Sequence, residues 1–215
     1  MNDYQLRQDV LDELDFEPSV TAEHIGVGVQ SGVVTLFGFV PSYGEKLAAE
    51  RAVRRVKGVK AIAEEIEVRL SSDKKIGDEE IAKRAIDILK WRVGLPADRI
   101  AVKVEKGTVT LTGEVDWRYQ ADTAAAAVRN LGGVALVLND IRVKSPVGVF
   151  DVKEKIQQAL RRNAELDASR ITVHTDGGKV TLGGKVNAFF ERSIAERAAW
   201  SAPGVTEVQD HIQIG

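Results

Sequence analysis

An α+β fold, built as three tandem α-β-β-α-β units of two layers each, is what this sequence predicts, and three observations predict it. The segment Gly32-Val33-Val34-Thr35-Leu36-Phe37-Gly38 returns as Gly107-Thr108-Val109-Thr110-Leu111-Thr112-Gly113 and again as Gly178-Lys179-Val180-Thr181-Leu182-Gly183-Gly184. Each copy is followed by a Gly-Val pair (Gly58-Val59, Gly133-Val134, Gly204-Val205) and then by Ile66-x-Val68, Ile141-x-Val143 or Ile212-x-Ile214. The offsets are constant, 75 residues from first copy to second and 71 from second to third, without a gap from Leu6, Ile81 and Val152 onward. Repetition of this length marks a structural unit. The chain therefore divides as 1–70, 76–145 and 147–215. Units this small bury a modest core and are marginal alone, which predicts packing between neighbours.

Each unit opens with an amphipathic helix. Leu6, Val10 and Leu14 are spaced by four, as are Ile81, Ala85 and Leu89, and Val152, Ile156 and Leu160, the spacing of one helical face. Asp3, Asp78 and Asp151 precede these stripes as N-caps, and Asp151-Val152-Lys153-Glu154 has the form of a capping box with Asp in place of Ser. Two alternating strands follow, joined at Ser31-Gly32, Lys106-Gly107 and Gly177-Gly178, pairs suited to two-residue hairpin turns with positive φ. A second helix carries small apolar residues at helical spacing: Ala49, Ala52, Val53, Val56; Ala124, Ala127, Val128, Leu131; Ala195, Ala198, Ala199, Ala202. Small side chains let it lie close on the sheet, the Gly-Val pair ends it, and a third strand completes a small mixed sheet. The polar stretches Ser71-Ser72-Asp73-Lys74-Lys75 and Lys144-Ser145-Pro146 read as linkers.

Composition narrows the function classes. Net charge is −2, with 30 basic and 32 acidic residues, so no global field draws nucleic acid. The chain has no cysteine, which removes disulfides, thiolate catalysis and thiolate zinc sites. No apolar leader precedes the first helix and no apolar stretch approaches the length of a membrane span; the expectation is a cytoplasmic protein. His24, His174 and His211 fall at non-equivalent positions in the copies, and no nucleophile–base pairing repeats. No catalytic residue, metal site or cofactor is expected, and the protein reads as a non-enzyme.

With the G-x-V-x-L-x-G hairpin, the later Gly-Val and the terminal Ile-x-Val in place, the chain resembles the BON-domain family over nearly its whole length, as three tandem copies. That family takes its name from an osmotically inducible periplasmic protein and a nodulation protein. The resemblance implies a non-enzymatic role, association with phospholipid membranes, and a setting of envelope or osmotic stress. Many members of the family are exported.

Two candidate surfaces follow from the residues. The start of the second helix carries aromatic and basic residues together: Tyr43 and Lys46; Trp117, Arg118 and Tyr119; Phe189, Phe190 and Arg192. Amphipathic rings favour a membrane interface and Lys and Arg attract anionic headgroups, so these eight are candidate lipid contacts; the competing role is to cap the core at a helix end. Strand parity puts Val33, Phe37 and Phe39 on the outer sheet face of the first unit, beside Gly26 and Gly28, with Leu136 and Leu138 outward on the second. An apolar face of that kind is expected to be covered by the second unit or by another subunit. Phe37, Phe39, Leu136 and Leu138 are therefore candidate partner contacts, the partner being another protein or a second copy of the chain. The basic residues Arg51, Arg54, Arg55, Lys57 and Lys60 read as a solvated helix face.

Overall fold

The structure is a computed structural model, in which residues 2–70, 76–144, 151–163 and 166–214 are described. Both linkers, at 71–75 and around Ser145-Pro146, lie outside the described residues. In the first unit the order is α1 (Asp3–Phe16), β1 (Ile25–Gln30), β2 (Val33–Val40), α2 (Tyr43–Arg55) and β3 (Ala61–Val68). The second repeats it as α3 (Asp78–Trp91), β4 (Ile100–Glu105), β5 (Thr108–Val115), α4 (Arg118–Val128) and β6 (Leu136–Val143). The third has α5 (Val152–Arg162), β7 (Ile171–Asp176), β8 (Lys179–Val186), α6 (Phe189–Trp200), β9 (Glu207–Asp210) and β10 (Gln213–Ile214). The second strand of each unit is central, antiparallel to the first and parallel to the third. In the third unit that last strand is split: β9 and β10 both pair with β8, and His211 between them donates its N–H to the Leu182 carbonyl.

The predicted stripes are the cores. Leu6, Val10 and Leu14, Ile81, Ala85 and Leu89, and Val152, Ile156 and Leu160 are all buried against the small-residue face of the second helix and the inward strand residues Val34 and Leu36, Val109 and Leu111, and Val180 and Leu182. Burial of one such Leu is worth about 1.5–3 kcal/mol. The closing glycine of the repeated phrase has a steric cause. Gly38, Gly113 and Gly184 sit at φ +121°, +138° and +107°, and a Cβ on any of them would overlap the carbonyl oxygen of His24, Arg99 or Arg170, the residue just before the neighbouring strand.

The helix starts differ from the sequence expectation. Asn2, not Asp3, caps α1, its side chain accepting the Gln5 N–H at 2.7 Å. Asp3 lies in the first helical turn and accepts the N–H groups of Ser31 and Gly32 in the hairpin turn, at 2.7 and 3.2 Å. Asp78 does the same to Lys106 and Gly107, at 2.7 and 2.9 Å. These carboxylates tie helix to hairpin, a long-range role that spacing within one helix could not reveal. Asp151 stands before α5 at φ +59° and caps nothing with its side chain. Glu154 hydrogen-bonds to it, which raises the Glu154 pKa, so the expected capping box is absent.

Candidate functional site

The second helices of the three units meet end to start in a closed ring. The start of α2 meets the end of α4: the Tyr43 ring is buried in the core of the second unit, and a Cβ on Gly44 would come within 2.7 Å of Asn130 Oδ1. The start of α6 meets the end of α2, where the Arg54 guanidinium lies 5.0 Å over the Phe189 ring. The start of α4 meets the end of α6, where Arg118 lies 4.6 Å over Trp200. Guanidinium on an aromatic face is attractive through the ring quadrupole and covers apolar area as well. Packing between neighbours, expected from the small size of the units, is thus centred on the helix starts.

Several helix-start residues are used inside the protein. The Lys46 ammonium is 2.8 Å from a Glu64 carboxylate oxygen and donates to the Ile66 carbonyl at 2.6 Å. Arg192 pairs with Asp210 and lies 5.9 Å from the Phe189 ring centre. In the second unit both partners change at once: Ala121 stands where Lys46 and Arg192 do, and Asn139 donates to the Ala121 carbonyl at 3.1 Å. The sequence carried that signal, because the copies read Lys with Glu, Ala with Asn, and Arg with Asp at equivalent positions.

Phe190 and the second unit's helix-start rings remain in solvent, and the structure adds others. Trp117 and Phe190 are partly exposed and Tyr119 is 58% exposed. Trp91, at the end of α3, is 86% exposed and Val93 wholly so. Buried Gln120 staples these segments together: its amide donates to the Gly94 carbonyl at 3.1 Å and its oxygen accepts the N–H groups of Asp116 and Trp117 at 3.1 and 3.0 Å. Trp91, Val93, Trp117 and Tyr119 therefore share one end of the second unit, with Lys90, Arg92 and Arg118 among them. The sequence reading missed Trp91 and Val93. The signal for Trp91 was that it falls off the buried stripe of Ile81, Ala85 and Leu89; Val93 continues that spacing but lies beyond the end of α3, so helix packing covers neither.

Beside that end, α4 and α6 enclose a groove of about 180 Å³ lined by Trp117, Arg118, Tyr119, Asp122, Arg197 and Trp200 among others. Arg118 Nε donates to Asp122 at 2.9 Å. Among the described residues no three His, Asp or Glu side chains stand close enough to hold a metal ion, and no helix is long and apolar enough to cross a membrane.

The outer sheet faces depart from expectation. Among the described residues no other unit covers the face of the first: Phe37 is 48% exposed, and Val33, Leu136 and Leu138 are exposed as well. Local contacts shield part of it. Phe37 lies over Gly26, its cross-strand partner, where a Cβ would overlap the ring. Phe39 stacks on His24 at 4.6 Å, with Arg69 at 4.5 Å from the Phe39 ring centre. The second unit instead meets the first through α2, so the cover expected from it is absent. On the basic helix face Arg54 pairs with Glu50 at 2.5 Å and Arg55 with Glu13 and Glu17 at 2.8 and 2.9 Å, while Arg51, Lys57 and Lys60 are exposed.

Comparison with known proteins places this architecture. The chain is 27% identical over 148 residues to osmotically-inducible protein Y of Escherichia coli (strain K12), covering 67% of this chain and 74% of that protein. It is 27% identical over 145 residues to the 21 kDa hemolysin of Actinobacillus pleuropneumoniae, covering 64% and 74%. Among solved structures, CdsD, a structural protein of the type III secretion system of Chlamydia trachomatis, matches at 16% identity over 97% of this chain and 91% of that one, with a TM-score of 0.25. The periplasmic domain of the inner membrane protein PrgH from S. typhimurium matches at 14% identity over 89% and 94%, with a TM-score of 0.23. Scores that low carry no argument. The cytoplasmic expectation is corrected: it does not hold against the relationship to osmotically-inducible protein Y, a periplasmic protein. Composition could not decide this, since a cysteine-free, nearly neutral chain suits either compartment. The model of the BON domain matches residues 2–69, 77–145 and 149–215, and the chain belongs to the BON-domain family as three tandem copies.

Proposed function

We propose that this protein is a non-enzymatic binding protein that associates peripherally with anionic phospholipid surfaces, in a setting of envelope or osmotic stress. The observation that carries the proposal is the exposed end of the second unit. Trp91, Val93, Trp117 and Tyr119 stand in solvent there, beside the exposed cations Lys90 and Arg92. Indole and phenol rings favour the interfacial layer of a bilayer, and each Lys or Arg near an anionic surface adds about 1 kcal/mol. The contact is centred on the second unit, because Tyr43 is buried in that unit's core, Lys46 and Arg192 are paired with carboxylates, and Phe190 alone of the other units' helix-start rings is exposed. The family relationship to an osmotically inducible protein supports the stress setting.

The test is co-flotation of the purified chain with vesicles. Binding to phosphatidylglycerol-containing vesicles and not to phosphatidylcholine alone, weakened by moderate salt, is the expected result. Trp91→Ser combined with Val93→Ser should lower that binding about tenfold. No flotation with any vesicle at low salt would remove the membrane role.

A second reading has one observation in its favour. Phe37 and Val33 on the first unit, with Leu136 and Leu138 on the second, are exposed and apolar, as a docking surface for a protein partner or a second copy would be. Phe37→Asp would abolish that docking and leave vesicle flotation intact.

A further inference from the structure

The groove between α4 and α6 holds chemistry that an apolar membrane contact does not use. Its volume, about 180 Å³, decides the size of what enters. Sites for drug-sized ligands run to roughly 300–1,000 Å³, and one water takes about 30 Å³ of liquid. A nucleotide, a flavin or a lipid could seat only part of itself there. A phosphate group with a few carbons attached fits.

Charge decides its sign. Two basic residues, Arg118 and Arg197, and one acidic residue, Asp122, line it. Arg118 spends only its Nε on Asp122, and its guanidinium carbon lies 4.6 Å over the Trp200 ring. Its two terminal nitrogens make no hydrogen bond among the described residues, and Arg197 has no carboxylate within ion-pair distance among them. The Trp200 Nε1–H is also buried there without an acceptor. Helix ends do not settle the matter: the start of α4 favours an anion and the end of α6 opposes one. The guanidiniums must carry the attraction, and their forked N–H groups match phosphate oxygens two at a time.

We infer that this groove binds a phosphate ester, with the phosphate held by the terminal nitrogens of Arg118 and by Arg197 and the first ester carbons against Trp117 and Tyr119. The inference rests on the membrane reading for its source, the phosphate of an anionic phospholipid headgroup. A free phosphate ester offers the same chemistry, and the experiment separates the two.

The three tryptophans of the chain make the test direct, since Trp117 and Trp200 line the groove while Trp91 stands on the exposed tip. The full chain, labelled with ¹⁵N, is titrated with dihexanoylphosphatidylglycerol below its aggregation concentration, with glycerol 1-phosphate and with inorganic phosphate. The Trp117 and Trp200 indole N–H signals should move and saturate, with the Trp91 signal unmoved by glycerol 1-phosphate. Arg197→Gln, an exposed substitution that leaves the fold intact, should weaken that titration at least fivefold. Tighter binding of the lipid than of glycerol 1-phosphate assigns the site to a headgroup; equal binding of all three assigns it to free phosphate. Unmoved Trp117 and Trp200 signals in every arm, or an Arg197→Gln titration equal to that of the parent, overturn the groove. If vesicle flotation persists in that case, the groove alone falls. A saturating groove in a protein that does not float removes the membrane role and keeps the site.

Discussion

The Asp78 carboxylate accepts the Gly107 N–H at 2.9 Å, joining the first turn of α3 to a hairpin turn 29 residues away. The second carboxylate oxygen takes the Lys106 N–H, and Asp3 repeats the arrangement on Ser31 and Gly32. Two successive turn amides, one in the left-handed region at Lys106 (φ 50°) and one at Gly107 (φ 75°), point the same way and have no strand partner. A carboxylate is the side chain that can satisfy both.

Asp78→Ala leaves those amides without a protein acceptor and should lower stability by about 1.5–3 kcal/mol, the range for hydrogen bonds to a charged group. Asp78→Asn, with one acceptor oxygen, should recover part of the loss. Urea unfolding monitored by tryptophan fluorescence measures both.

The Arg118–Trp200 contact should couple the second and third units. A double-mutant cycle with Arg118→Leu and Trp200→Leu is expected to give an interaction energy of about 0.5–2 kcal/mol. A value indistinguishable from zero would mean that the stacking adds nothing to the closed ring of helices.

Phe189 and Trp91 should separate stability from binding. Phe189→Ala removes a ring held between Arg54 and Arg192, so thermal stability should fall while vesicle binding is unchanged. Trp91→Ser should do the reverse, since the Trp91 ring is almost wholly in solvent.

Acid should erase one surface network. Hydrogen bonds from Ser19 and then from Arg55 hold the Glu17 carboxyl below its ordinary value of 4.5. A depressed folded pKa contributes stability above the unfolded pKa, and that contribution is lost as pH falls through the folded one. Arg55→Gln should therefore lower the melting temperature slightly at pH 7. The difference from the parent should shrink progressively as pH is taken below about 4.5. A gap unchanged by acid would assign the effect to packing of the Arg55 stem.

The sequence by itself determined the unit. Periodicity of Leu6, Val10 and Leu14, alternation through Val34 and Leu36, and the turn pair Ser31-Gly32 are local signals, and local signals fix helix faces, strand parity and turn type. Threefold recurrence then excluded accidental matches. What only the tertiary structure decided is which of the helix-start residues are free to act. Tyr43, Trp117 and Phe189 occupy equivalent or neighbouring positions, yet Tyr43 is in another unit's core, Phe189 lies beneath Arg54, and Trp117 remains at the surface. Their fates diverge because the ring of second helices sets a different neighbour at each start. That neighbour is remote in sequence, so spacing within a unit holds no record of it. The same reason hid the Trp91 tip: Gln120 brings it beside Trp117 through one hydrogen bond to Gly94, 26 residues back along the chain.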